Sequence, residues 1–381
     1  MQPKAPVFLI LAFSCLPLLA SACGGDGEKN PFSVKSEVVT PADHAASLAF
    51  APDGRLFYVE QFTGNIRVVD AKGDLQPAPF AHVNAFQAGE YIEWGTMGLA
   101  LDPNFPANGY VYVYFTVAGS PGLPQQVKPV VARVKEGSEA EVVIGDLPET
   151  SSYANGTGSI NFGQDGFLYV SLGDHDVGQL AQDLTVPLGK LLRVNKETGD
   201  GAPDNPFVAQ PGADPRIFAY GFREDFDFTF HPQSGEIYGS DQTPVSCSEL
   251  NVINKGNGYG WPYGEFPWSD CSAAEQTAAI RLLAKDDTNP GDFLSFVNSR
   301  GMSFVSGQIY PLIGDALLIC EGLTNVLRRI VIAGTNMEQD LADDAVVKDC
   351  LFDVTVSPDG IVYYSNAKEI RRLIPVPIET E

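Results

Sequence analysis

The chain has 381 residues and a formal net charge of −24. That balance excludes nucleic acid as a partner, because phosphate binding needs clustered Lys and Arg. It suits a self-repelling surface with some affinity for cations. With 38 glycines, 28 prolines and 10% aromatics, the mix favours many short strands and turns over helices.

Residues 1–22 read as an export signal. Lys4 supplies a positive end, and Pro6 to Ala20 is apolar but too short and too Pro-interrupted to span a bilayer. The run Ala20-Ser21-Ala22-Cys23, followed by Gly24, Gly25 and Asp26, resembles a bacterial lipobox with Cys23 as the lipidated first residue. Ordinary cleavage near Ala22 is the alternative. The chain is therefore expected to be exported, facing the periplasm or the cell surface, and to meet a membrane only through that anchor. Residues 23–36 form the expected anchor and polar tether, and residues 37–381 the folded domain. Beyond Cys23, the mature cysteines are Cys247, Cys271, Cys320 and Cys350. An even number in an exported chain points to disulfides. Three pairings are open, and the local one, Cys247–Cys271 with Cys320–Cys350, closes the shorter loops.

From Phe50 onward one pattern recurs. FAPDGRLFYVE begins at Phe50, LDPNFPANGYVYVYF at Leu101, FGQDGFLYVSLGD at Phe162, FHPQSGEIYGSD at Phe230, SFVSGQIYPLIGDALLI at Ser303 and VSPDGIVYYSN at Val356. Each is an apolar strand end, a turn rich in Asp, Asn, Ser or Gly, and an alternating aromatic and β-branched strand. Glycine in the turn supplies the positive φ of a tight hairpin. Short antiparallel strands at this period predict an all-β fold, a six-bladed β-propeller. One blade cannot bury both its faces, but a closed ring can. The weakly patterned segments 195–216 and 262–300 are expected to be long loops over one face of the central channel.

Ordered motifs then carry a family resemblance. GQLAQDLTVPLGKLLRVN (Gly178–Asn195), APDNPF (Ala202–Phe207), RIFAYGFR (Arg216–Arg223) and SELNVINKGNGYGWP (Ser248–Pro262) resemble the soluble pyrroloquinoline quinone (PQQ)-dependent aldose sugar dehydrogenases, the glucose/sorbosone dehydrogenase family. EWGTMGLALDPNF near the start and DVTVSPDGIVYY near the end extend the match. The resemblance implies removal of a sugar C1 hydroxyl proton while hydride passes to the quinone. A general base must reach that hydroxyl, and the family uses a His a few residues before the Phe-Gly-x-Asp-Gly turn. Here that position is Asn155, whose amide takes no proton near neutrality. His175 is the alternative base, set against its reading as an exposed loop residue beside Asp174 and Asp176. These two and Asp183 read as solvated turn residues. The other histidines, His44, His82 and His231, are assigned no role.

The implied cofactor is a tricarboxylate, which guanidinium groups hold best. Arg223 matches one family anchor. The residue after it, usually Asn, is Glu224, and Glu93 stands at an early Gln position. Cys350 and Phe352 take the places of two arginines, and no Lys or Arg occurs from Gly301 to Leu327. The resemblance also implies a calcium held by the Glu249 carboxylate and the Tyr259 main-chain carbonyl, oxygen donors that suit a hard cation. Ser248 replaces a family Asp there.

Two functions follow. One is oxidation of aldoses at C1 outside the cytoplasm, with a diverged site. The other is a non-catalytic propeller lipoprotein that binds a glycan or a protein through the channel face, with Trp94, Tyr153, Phe222 and Phe226 offered at its mouth. A hydrolase built on Glu93 and Glu249 lacks a placed nucleophile.

Overall fold

The computed structural model describes residues 32–86, 93–120, 126–151, 158–224, 227–242, 248–262, 281–282, 299–322, 324–333, 336–338 and 345–377. Every sheet in it is an antiparallel ribbon read outward from the channel as strands A to D. The chain opens with β1 (Val34–Pro41), set aside for the last blade. Blade 1 is β2 (Ala45–Phe50), β3 (Leu56–Glu60), β4 (Asn65–Val69) and β5 (Ala81–His82). Blade 2 is β6 (Thr96–Leu101), β7 (Val111–Ala118), β8 (Val127–Val134) and β9 (Glu141–Ile144), with the one-turn helix α1 (Phe105–Asn108) in its first hairpin. Blade 3 is β10 (Ile160–Phe162), β11 (Leu168–Leu172), β12 (Lys190–Val194) and β13 (Ile217–Tyr220). Blade 4 is β14 (Phe228–Phe230), β15 (Ile237–Asp241), β16 (Glu249–Ile253) and β17 (Arg281–Leu282). Blade 5 is β18 (Ser299–Val305), β19 (Ala316–Glu321) and β20 (Val326–Ala333), which pairs with both β21 (Asn336–Glu338) and β22 (Ala345–Lys348). Blade 6 is β23 (Val354–Val356), β24 (Val362–Ser365) and β25 (Glu369–Pro375), completed by β1.

Each of the six sequence repeats is an A–B hairpin of one blade. All six turns carry a left-handed glycine: Gly54, Gly109, Gly166, Gly235, Gly314 and Gly360, with φ between 68° and 87°. The strands that follow are largely buried on both faces; β7, VYVYFTVA, is buried along most of its length because neighbouring blades cover it from either side. Six hydrophobic clusters result among the described residues, one between each pair of adjacent blades. The ring closes where β1 pairs with β25, from Val34↔Pro375 to Pro41↔Glu369. The folded domain thus starts at Val34, three residues before the expected boundary at 37.

Up-and-down strands give the ring two faces. The A–B turns lie on the lower face; the B–C turns and the blade-to-blade crossings lie on the upper. The segment 195–216 is not on the upper face as a roof. It leaves β12 at the lower face, where Lys196 binds the carboxylate of Asp102 at 2.8 Å and Asp204 meets Lys255 at 3.0 Å. It then runs back along the blade's outer edge, where the Asp214 amide donates to the Leu184 carbonyl. A C–D connection in an up-and-down blade can only begin there. Most of 262–300 lies outside the described residues.

The inner strands enclose a central cavity of about 370 Å³. Its wall includes Ser47, Ser159, Asp227, Arg300, Met302 and Asp353.

Candidate functional site

The upper face of blades 3 and 4 gathers most of the residues singled out from the sequence. Three connections meet there. The B–C turn after β11 carries Asp174 and His175. The crossing from β13 to β14 carries Arg223 and Glu224. The segment after β16 climbs β13, with a parallel bridge between Gly258 and Tyr220, and delivers Trp261. Tight contacts lock the three together. The Asp174 amide donates to the Arg223 carbonyl at 2.9 Å. The Asp174 carboxylate accepts the Trp261 indole N–H at 2.7 Å. The Arg223 guanidinium lies 5.4 Å from the Trp261 ring.

Arg223 is committed within the protein. Its Nη1 donates to Glu224 Oε2 at 2.6 Å and to the Gln242 carbonyl at 3.3 Å. Glu224 is buried, so this pair sits in low dielectric, where a second anion must compete with it. The backbone amides of Arg223 and Glu224 both donate to Asp241 Oδ1, at 2.9 and 3.1 Å. Asp241 stands directly across the ladder from Glu249. Burial, and then the Glu249 charge, push the Asp241 carboxyl well above the usual carboxylate range.

His175 is not an exposed loop residue. It is 5% exposed, in a left-handed turn with φ of 53°. Neither ring nitrogen has a hydrogen-bond partner among the described residues. It lines an upper-face groove with Gln126, Glu149, Ser151 and Asp176. Burial pulls its pKa down to about 4. Asp174, expected in solvent, is also buried, because the indole of Trp261 caps it. Asp183 is partly buried and accepts the Thr185 amide and hydroxyl, while Asp176 is exposed. Trp94 and Phe222 are fully buried, so they present no aromatic surface at the channel mouth: Phe222 stacks on Tyr259 at 4.9 Å, and the Trp94 carbonyl accepts from Gln61. Glu93 is buried in the crossing from blade 1 to blade 2. Asn155, Tyr153 and Phe226 lie outside the described residues, as do Cys247 and Cys271.

The described residues do not fit the tricarboxylate quinone. Cys350, at an anchor position, is joined to Cys320 in a disulfide. Phe352, at the other, makes an edge contact with His44 at 5.8 Å. Arg223 is already paired, and Glu93, Asp174, Glu224, Asp241 and Glu249 are all buried acids near the same face. Three carboxylates brought into this field meet repulsion rather than a cationic cradle.

Calcium fits better. Glu249 and Asp241 are buried side by side, an arrangement that a cation relieves. Asn251, on the same face of β16, donates through Nδ2 to Glu249 Oε2 at 3.2 Å. Its Oδ1 is buried with no hydrogen-bond partner among the described residues. The Tyr259 side chain is structural, its hydroxyl donating to the Val252 carbonyl and accepting from the Asn254 amide, both at 2.7 Å. Its main-chain carbonyl is the group that the resemblance implies for a cation. Asp241 and Asn251 do not stand out in the sequence. Their signal is period-two spacing on adjacent strands, legible only once the register of β15 and β16 is known.

The closed ring, with its charged site on the face of the blade crossings, defines a six-bladed propeller of the sugar-dehydrogenase type. The glucose/sorbosone dehydrogenase signature matches residues 42–374, and the chain belongs to that family. It is 24% identical over 356 residues to aldose sugar dehydrogenase YliI of Escherichia coli K12, covering 91% of this chain and 93% of that one. Among solved structures, a putative oxidoreductase (glucose dehydrogenase) from Thermus thermophilus superposes with a TM-score of 0.70 at 27% identity, covering 90% of this chain and all of the other. The PQQ-bound aldose sugar dehydrogenase of Streptomyces coelicolor shares the fold, with a TM-score of 0.68 at 22% identity over 91% of this chain and 99% of that one.

Proposed function

We propose that this chain is an exported, membrane-anchored member of the sugar dehydrogenase family that binds aldose sugars or glycans at the upper face of blades 3 and 4, and that it does not operate as an ordinary PQQ enzyme. The pairing of Arg223 with Glu224 at 2.6 Å carries this reading. The anchor that a quinone would need is neutralised by the residue that follows it. What the face offers instead is hydrogen-bond acceptors, which match the hydroxyl donors of a neutral sugar. Calcium belongs to the proposal: Glu249, Asp241, the Asn251 amide oxygen and the Tyr259 main chain would hold it. When bound, it supplies a fixed positive charge that offsets the buried acids and orients sugar oxygens. Export and anchoring rest on the charged-then-apolar N-terminus and on Cys23 within its lipobox-like run.

A second reading keeps the oxidation. It is favoured by His175, a buried imidazole with nitrogens unbonded among the described residues, beside the Asp174–Trp261–Arg223 cluster. A neutral imidazole can take a hydroxyl proton, although one held near pKa 4 is a weak base at neutral pH.

Calorimetric titration of the mature chain separates the readings. Aldoses or their oligomers are expected to bind with an affinity lost on chelation, while PQQ shows no binding up to millimolar concentration. Micromolar, calcium-dependent PQQ binding would overturn the proposal. Dye reduction by wild type but not by His175→Ala would then establish the second reading.

A further inference from the structure

Where the chain enters the propeller has a consequence for how an anchored molecule sits. β1 runs up the outside of blade 6, so Phe32 emerges at the lower face, opposite Arg223, His175 and Trp261. Phe32 does not lead into solvent. It lines an apolar groove with Tyr310, Pro311, Leu312, Pro375 and Val376, of about 330 Å³. The Ser33 carbonyl accepts the Val376 amide at 2.7 Å, and the Arg329 guanidinium covers the Phe32 ring at 5.7 Å. The groove's rim is exposed: Leu312 is 42% and Val376 44% accessible, with Pro311 and Pro377 also exposed.

The turn that forms this rim is the exception among the six hairpins. The turns of the other blades carry charged or polar tips, such as Asp53 and Arg55 in blade 1, Asp165 in blade 3 and Asp359 in blade 6. Blade 5 instead exposes Pro311 and Leu312, over Tyr310 and Ile313 buried beneath them. Exposed large apolar side chains grouped at one site mark a contact surface.

We infer that this groove and its rim rest on the lipid surface that receives the Cys23 anchor, so that the propeller stands on its lower face with the sugar-binding face turned away from the membrane. The inference rests on the anchoring part of the proposed function. Cys23 and Phe32 are nine positions apart in sequence. A fully extended chain of that length reaches at most about 32 Å, less than the ~50 Å diameter of a propeller this size. The surface around Phe32 is therefore the part of the propeller held nearest the bilayer, and the far side of the ring is out of reach. An anchor this close also raises the effective concentration of the patch at the surface, so a few apolar side chains suffice. Apolar contact rather than charge must hold it, since a chain of net charge −24 is repelled by anionic headgroups.

The test uses the full lipidated chain carrying Leu312→Trp. It is reconstituted in vesicles of phosphatidylethanolamine and phosphatidylglycerol, with or without brominated acyl chains. With Trp268→Phe in the background of both chains, emission of the introduced Trp is expected to fall at least twofold on the brominated lipid, while the chain that keeps Leu312, whose remaining Trp94 and Trp261 lie on the far side, is unchanged. Pro311→Asp in the same background should restore the signal. Mass spectrometry of Cys23 runs in parallel. Acylated Cys23 with no quenching at position 312 overturns the docking and leaves the anchor intact. Unmodified Cys23 overturns the anchor, and the docking falls with it. If Trp at 312 is already shielded from iodide in the lipid-free Cys23→Ala chain, the groove is filled by the protein's own chain, and the inference fails on that ground.

Discussion

At the scale of single residues, burial decides what the charged groups can do. The acids that flank His175 suggest an exposed bystander. In the fold it is enclosed, and its pKa falls to about 4 from an ordinary 6.5. The unfolded chain therefore binds a proton that the folded chain rejects. His175 contributes stability that is present above about pH 6.5 and lost as pH falls towards 4, on the order of 3 kcal/mol in all. His175→Gln should flatten the acid limb of stability over this window in urea unfolding, with little change at pH 8. An unchanged acid limb would show that the imidazole is hydrated. The neighbouring Arg223 makes a related point. A matched anchor residue is no anchor when the next side chain neutralises it, and the Glu224 charge is visible in the sequence.

At the scale of elements, the Cys320–Cys350 disulfide ties two blades together. Cys320 lies in β19, the B strand of blade 5, and Cys350 in the connection to blade 6. The bridge closes a sequence separation of 30, which restricts the unfolded chain by about 3–4 kcal/mol. It staples the blade that precedes ring closure to the blade that completes it. Replacing both cysteines by Ala should lower the thermal midpoint by several degrees and leave sugar affinity nearly unchanged, because the bridge lies away from Asp241 and Glu249. A large loss of affinity at preserved stability would instead extend the proposed site from blades 3 and 4 across the upper face to the bridge.

At the scale of the whole molecule, the six inner strands carry one equivalent position, three residues before each strand end: Ser47, Gly98, Ser159, Asp227, Met302 and Asp353. The two aspartates use it to join blades. Asp227 accepts from Ser159 of blade 3 and the Met302 amide of blade 5. Asp353 accepts the Leu48 amide of blade 1 at 2.7 Å. Burial raises the Asp227 carboxyl to about 7; burial, and then the Asp227 charge, hold Asp353 well above the usual range. With the folded value above the unfolded one, the Asp227 contribution is fully present below about pH 4 and is lost as pH rises through about 7, on the order of 4 kcal/mol. Asp227→Asn keeps the shape and removes the charge. It should raise stability at pH 8 relative to wild type and flatten the slope between pH 4 and 7 in calorimetric scans. Equal slopes would mean that Arg300, in the same cavity, already compensates the pair.

Much of this is legible in advance. The A–B hairpins are readable because each turn needs a glycine at positive φ, a local requirement that leaves its mark on the chain wherever it occurs. Six such marks at a propeller period imply six blades. That Cys350 and Phe352 carry no charge where the resemblance implies arginines is equally plain, since charge is a property of composition. Other features depend on distance in space. That β1 completes blade 6 depends on pairing residues more than 300 positions apart. That Asp174 is buried depends on Trp261, carried up the outside of β13 from another blade. That Asp241 and Asn251 flank Glu249 depends on strand register, which a sequence pattern leaves free by a residue in either direction. By itself the sequence determined local geometry and charge, which act within a turn or a strand. Burial and partnership were decided only by the tertiary structure, because both are set by what other parts of the chain bring alongside.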